Sequence, residues 1–296
     1  LPDGTNLVVT KTPDPRFGMQ APLESTTIIV PSGSTATLVT TRSVTLANPY
    51  NQLSLISQTD TVNFNGRKYI SVFDASTKQR TTTTPVGRQT ITLLDNLGRT
   101  LSFNADPTLT AATFSYDTRG RLTLASQGNI QSTFAYDTLG RVSSITDASG
   151  NTVRYNYDLA DRVTKLTLPS GRSYSFLYDA NGNTTRITMP NGAAHDLGYT
   201  VIDLAKDYTP PANPAYSWDY NLDQDWTGSL LPSGRRVDAG YDDGGRPTAL
   251  VYPEASIGYY YTDATDRVQG ISRASSDGTV SQGLSFTYDG GLVTGN

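Results

Sequence analysis

The chain has no cysteine and only one histidine, His195. Without thiols there is no disulfide framework and no thiolate chemistry. A transition-metal site has one imidazole to draw on and no thiolate. The lack of cysteine suits a secreted bacterial protein and a cytosolic one equally. Charge is also scarce: 17% of residues are Asp, Glu, Lys or Arg, the net charge is −4, and Lys and Arg never cluster. The basic footprint of a nucleic-acid binder is therefore missing. No stretch approaches the ~18 consecutive apolar residues of a membrane-spanning helix. No signal-peptide pattern opens the chain, which begins on the turn-like LPDGTN. The sequence reads as a segment excised from something longer.

Apolar residues make up 36% of the chain, and 18 Tyr, 26 Gly and 16 Pro, with abundant Thr, Ser and Asn, fill the difference. Thr and Tyr suit pleated, half-buried surfaces, while Gly, Pro, Asn and Asp punctuate turns. Aromatic and β-branched residues at this level argue against disorder. The expected class is all-β.

A repeat organises the chain. Aligned on one position, the series is Tyr116, Tyr136, Tyr157, Tyr178, Tyr199, Tyr220, Tyr241, Tyr261 and Tyr288, with gaps of 20, 21, 21, 21, 21, 21, 20 and 27. Leu94-Asp95 and Phe73-Asp74 extend it backwards at gaps of 22 and 21. Two positions before each Tyr, seven of the nine residues are aromatic, from Phe114 and Phe134 to Phe286. A spacing of two puts both rings on one face of a strand. Each unit carries two turn signals. One follows the Tyr, as in YDTRGR, YDTLGR, YDLADR, YDANGN and YDDGGR; the other lies half a period on, as in DASGNT, LPSGRS and MPNGAA. Two turns per period leave two strands of roughly six residues. The unit is a β-hairpin. In 201–217 the Pro pair and Asn-Pro mark a stiff loop in place of a tight turn. Residues 1–72 hold the period loosely and read as hairpins continuous with the regular repeats of 73–296.

The recurring Y-D-x-x-G-R at this period resembles the YD-repeat, or Rhs, family, over at least residues 73–290. The resemblance implies hairpins paired side by side into a long antiparallel ribbon that curves into a hollow shell. Such shells enclose a C-terminal toxic domain in Rhs polymorphic toxins and in the B/C components of Tc toxins. A similar shell belongs to the teneurins, extracellular adhesion proteins. The chain departs from the bacterial pattern by ending on FTYDGGLVTGN, without the Asp- and Pro-rich core motif or a following toxin domain. Autoproteolysis and toxicity are therefore not carried over. About 26 strands at ~4.8 Å spacing make a ribbon of about 125 Å, or one ring roughly 40 Å across. A guest of ~100 residues is about 34 Å wide. This segment is expected to form about one turn of a wall.

The repeat-defining residues are Tyr116, Asp117, Arg121, Tyr136, Asp137, Arg141, Tyr157, Asp158, Arg162, Tyr178, Asp179, Tyr220, Tyr241, Asp242, Arg246, Tyr288 and Asp289. The Tyr series reads as a packing ladder whose rings interleave with side chains of the intervening strand. Each Asp reads as a loop cap, with Arg paired to a carboxylate of the same or the next hairpin. Catalysis needs one constellation held apart from its copies, and here the copies are alike. His195 adjoins Asp196, but neighbours on a strand face opposite ways, and no G-x-S-x-G elbow is present. Asp179-Asn181-Asn183 and Asn221-Asp223-Asp225 mimic the odd positions of a calcium loop, without Gly at position six or Glu at twelve. Asn183 opens a formal N-glycosylation sequon.

The sequence thus points to a structural, non-enzymatic shell segment without a cofactor, in a secreted or surface protein. The expected partners are the rest of its parent chain and an enclosed cargo domain. The rival reading is an extracellular adhesion or carbohydrate-binding module that uses the aromatic face. A weaker one is a hydrolase built on 201–217. Open strand edges at both ends are expected to promote self-association.

Overall fold

The computed structural model describes every residue except Pro2, Pro107, residues 263–265 and Asn296. The described residues form 27 strands and no helix. Twenty-five strands lie in antiparallel sheet, and the last two, Thr287–Asp289 and Leu292–Gly295, form a separate hairpin. The first five strands are long: β1 (Asn6–Asp14), β2 (Gly18–Ile29), β3 (Thr35–Leu46), β4 (Leu55–Phe64) and β5 (Arg67–Asp74). The later ones run three to eight residues, as two turns per short period require.

The chain divides into two compact units, one of Asp3–Tyr136 with Ile145–Asn151, the other of Asp137–Ser144 with Thr152–Asn296. In the first unit each strand from β1 to Ile130–Tyr136 pairs antiparallel with its neighbours in sequence. The second follows the same rule from Thr152–Tyr157 to Ser281–Ser285.

Register puts one set of residues on each face. In the second unit Phe176 lies opposite Ile187, Ile187 opposite His195, and Leu197 opposite Tyr208. The row continues through Ala239, Leu250 and Ile257. The other face is polar, with Arg186 opposite Asp196 and Asp219 opposite Gly228.

This is a single layer. Among the described residues Val30 is the only buried apolar side chain. The accessible surface is 18721 Å² for 31.9 kDa, against about 12,200 Å² for a compact globular protein of that mass. Within each unit the described residues of the aromatic face are half-buried by their own neighbours in the sheet. Stability must therefore come from bonds that join each hairpin to the next.

The stretch 201–217 is more regular than its prolines suggest. Ala205–Thr209 is a strand, paired with Ala194–Tyr199 on one side and Tyr216–Tyr220 on the other. The rest of the stretch before Tyr216 is the turn at 201–204 and the loop at 210–215. The prolines fall outside the hydrogen-bonded ladder, where the missing N–H costs nothing.

Candidate functional site

The repeated Tyr-Asp-Arg set is built from the turn upward. In Asp137-Thr138-Leu139-Gly140-Arg141 the Gly140 N–H donates to the Asp137 carbonyl (3.1 Å), and the Asp137 N–H donates to the Arg141 carbonyl (2.8 Å). Gly140 has φ +92°, the left-handed conformation that closes a three-residue hairpin loop. Asp137 Oδ1 accepts the N–H groups of Leu139 (3.0 Å) and Arg141 (2.9 Å). Its Oδ2 accepts from Arg141 Nε (2.7 Å). The same bonds recur at Asp117/Arg121, Asp158/Arg162 and Asp242/Arg246. The chemistry explains the spacing: the carboxylate reaches the N–H groups two and four residues on, and the fourth residue returns a guanidinium.

The tyrosine acts on the hairpin before it. A shift in register falls at Tyr116, Tyr157, Tyr178, Tyr199, Tyr220, Tyr241, Tyr261 and Tyr288. Tyr157 pairs with Val163 while Asn156 pairs with Lys165, leaving Thr164 as an extra residue. Such a bulge disturbs the ladder locally and leaves the carbonyl beside it open to a side-chain donor. That of Val163 accepts the hydroxyl of Tyr178, one hairpin on, at 2.7 Å. The arrangement repeats as Tyr116 to Thr100, Tyr136 to Leu122, Tyr157 to Val142, Tyr220 to Ala205, Tyr241 to Trp226 and Tyr288 to Val268. Tyr199 and Tyr261 bond to Thr184 and Pro247 in the same way. Burial raises the pKa of Tyr157, Tyr241 and Tyr261, so these hydroxyls remain neutral donors.

The arginine acts on the hairpin after it. The guanidinium of Arg99 lies 4.6 Å from the ring centre of Tyr116, Arg121 4.3 Å from Tyr136, Arg141 4.6 Å from Tyr157, and Arg162 4.6 Å from Tyr178. Arg246 covers Tyr261 and Arg267 covers Tyr288. Arg141 Nη1 also donates to the Asp158 carbonyl (2.9 Å) and the Asp161 carboxylate (2.7 Å). Arg162 Nη1 reaches the Asp179 carbonyl (2.9 Å). A planar guanidinium with several donors can pair, stack and bond at once; an ammonium cannot. The rings thus interleave with arginine. The Arg N–H donors hold the Asp117 and Asp158 carboxyls below the ordinary value, and the guanidinium adds to this. At Asp137 partial burial works against ionisation, and the Arg141 N–H and guanidinium outweigh it.

The ladder has a gap. Asn183, Leu204 and Asp225 occupy the arginine position in three successive hairpins. Among the described residues no guanidinium covers Tyr199, Tyr220 or Tyr241. Asn183 Nδ2 replaces Arg in bonding Asp179 Oδ2 (3.0 Å). Thr200 Oγ1 caps Leu204 N (3.1 Å). At the third hairpin Asn221 Nδ2 donates to Asp225 Oδ2 (3.1 Å), with the acid now at the far end of the turn. Beside this gap the ring of His195 stacks on Tyr208, and Tyr208 on Tyr216, both at 5.8 Å between centroids.

The remaining candidates are engaged locally. His195 Nδ1 is 2.7 Å from the Tyr208 hydroxyl. Asp196 pairs with Arg186 on the other face, 2.5 Å away, so the adjacent His and Asp do not form an orienting pair. Asn181 and Asn183 turn their amide N–H groups onto Asp203 (2.8 and 2.7 Å). Asn221 Oδ1 accepts the Asp225 N–H (2.8 Å). Asn181 and Asn183 are thus spent on the next hairpin and Asn221 and Asp225 on their own turn. Among the described residues no group of three or more His, Asp or Glu is placed to hold a metal ion. Asp289 lies opposite Leu292 in the last hairpin.

An array of antiparallel hairpins joined through Tyr, Asp and Arg, with the arginine missing from three successive units, defines a YD-repeat shell segment. The profile of the teneurin YD-shell family matches residues 4–296, and the chain belongs to that family. No curated relative matches the chain. Among solved structures it is similar to the crystal structure of TcdB2-TccC3-Cdc42, with a TM-score of 0.60 and 13% identity over 92% of this chain and 16% of that one. The crystal structure of TcdB2-TccC3 without its hypervariable C-terminal region gives 0.59, again with 13% identity, 92% and 16% coverage. At that identity the likeness shows the fold. The chain spans about one sixth of the length of these structures.

Proposed function

We propose that this chain is a structural, non-enzymatic stretch of shell wall in a secreted or cell-surface protein. Its partners are the remainder of a longer parent chain and a cargo domain enclosed by it. Residues 1–72 are wall continuous with the repeats of 73–296. The mechanism is exclusion: a hydrogen-bonded layer keeps solvent and proteases from whatever lies on its inner side. The observation that carries this reading is the double tie between hairpins, Tyr hydroxyl backward and Arg guanidinium forward. It maintains a one-layer sheet without a core. The short coverage of the similar structures supports a larger assembly.

The absence of cysteine in this chain makes a direct test simple. Leu197→Cys and Leu177→Cys place a thiol on opposite faces. In the native full-length protein one of them is expected to be shielded from a bulky maleimide and the other to react freely, read by mass spectrometry of the labelled peptides. Equal, rapid labelling of both would rule out a wall with an inside.

A further inference from the structure

The turns along the YD edge carry side chains that the turns do not need. In the second unit Leu139, Leu159, Val201, Ile202 and Leu222 sit at four of five successive tips, the tip at 180–182 carrying no large apolar residue, with 70%, 103%, 98%, 54% and 101% of their surface exposed. The apolar residue is not at a fixed turn position. It is third in Asp137-Thr138-Leu139-Gly140 and second in Asp158-Leu159-Ala160-Asp161, so turn geometry does not select it. The opposite edge of the same unit provides a contrast, with LPSG and MPNG turns whose Leu168, Met189 and Leu231 are half-buried. Successive tips are two strands, about 9.6 Å, apart, which makes a row. The tip segments 138–140, 159–161, 180–182, 201–203, 222–224 and 243–245 contain no Lys or Arg. They contain Asp161, Asp203, Asp223 and Asp243, all exposed; Asp161 is paired with Arg141 and Asp203 accepts from Asn181 and Asn183, which leaves Asp223 and Asp243 to set the sign of the edge. This edge is apolar and acidic.

The first unit has a surface of opposite character on its other edge. Arg67, Tyr69, Thr84, Pro85, Val86 and Arg88 line a recess of about 570 Å³. Val86 is 78% exposed, and Lys68 adds a third exposed cation. The nearby carboxylate is Asp106, whose charge is coupled to that of Arg88. This surface is apolar and basic.

We propose that the acidic, leucine-tipped YD edge of the second unit docks onto the Arg67–Val86–Arg88 recess of another copy of this chain. The contact is heterologous, one patch against a different one, so a pair of copies keeps one free half of each kind. The matched charges orient the encounter, and the leucine tips supply the apolar area.

The test uses sedimentation of the full chain and two variants, L159S/L222S and R67E/R88E. All four positions are exposed, and circular dichroism checks that the folds are unchanged. The wild type is expected to associate, and more weakly at high salt, because exposed charges are screened. Each variant alone is expected to associate about thirtyfold more weakly or worse, as loss of a central interface residue does. Mixing the two variants restores one good contact per pair, so a species of twice 31.9 kDa is expected. A monomeric wild type, variants that associate as the wild type does, or a mixture that stays monomeric would each overturn the proposal.

Discussion

An aspartate in these turns is more than a loop former: it is ionised because the backbone around it is arranged for that. Asp117, Asp137, Asp158 and Asp242 all have carboxyls below the ordinary value. Hydroxyl and backbone donors hold Asp74 and Asp277 down at about 2. A depressed folded value means that the unfolded chain takes up protons first. The stabilisation is therefore complete above the unfolded value of about 3.9 and is lost as pH falls through the folded values. We expect far-UV circular dichroism to be flat from neutrality to about pH 4 and to collapse between roughly pH 4 and 2. An Asp137→Asn variant, with the carboxylate removed, is expected to unfold with a smaller acid dependence. The tyrosine hydroxyl is tested by Tyr157→Phe. It removes one donor to the Val142 carbonyl, at a cost of about 1 kcal/mol. Hydrogen exchange is expected to quicken in the strands around residue 157 and to stay unchanged around residue 241. The Asp caps and Arg pairs were legible in the sequence because they lie within five residues. The tyrosine's acceptor was not. It is a backbone carbonyl beside a bulge in the preceding hairpin, and a bulge of this kind has no residue-type signature.

At the scale of the hairpin, the period was legible because two turns and two alternating strands write themselves into every unit. The prolines of 210–214 hid the strand Ala205–Thr209, since Pro signals a break more strongly than five residues signal a strand. The ladder's gap was visible as missing arginines at 183, 204 and 225. Its meaning was not, because the guanidinium serves the next hairpin's ring and not its own. The His195–Tyr208–Tyr216 stack was equally hidden, as it joins three strands through a register that sequence does not print. The gap predicts a gain. Thr200→Asp with Leu204→Arg rebuilds the clamp and puts a guanidinium over Tyr220. Exposed pairs contribute about 0–1 kcal/mol, and in a repeat array the effect stays with nearest neighbours. Exchange protection is expected to rise between residues 195 and 225 and nowhere else. Unchanged protection would mean that the clamp contributes little once the tyrosine bond is made.

At the scale of the molecule, the surface area shows one layer where a globular chain would have a core. An apolar face left half open is expected to bind a hydrophobic dye such as ANS in the folded state at neutral pH. The signal is expected to fall when the chain is part of its parent protein. Dye binding that appears only on unfolding would contradict a single open layer. Self-association has two routes here. One runs through the edge of β1, where Leu7, Val8 and Val9 are exposed; the other runs through the YD tips. Substitutions at Leu159 and Leu222 separate them, since they leave β1 untouched.

The two ties between hairpins point in opposite directions along the chain, and that gives the wall an order of construction. A tyrosine reaches back to a carbonyl already made; an arginine waits for a ring still to come. Protein synthesis at about 5–20 residues per second delivers one hairpin roughly every one to four seconds, whereas a hairpin closes in about 1–10 μs. Each unit can thus be seated before its successor emerges. The contacts are local, so no late, long-range search is needed. A wall assembled this way grows from its first hairpin to its last like masonry laid course by course, and a faulty course would expose only the ones above it.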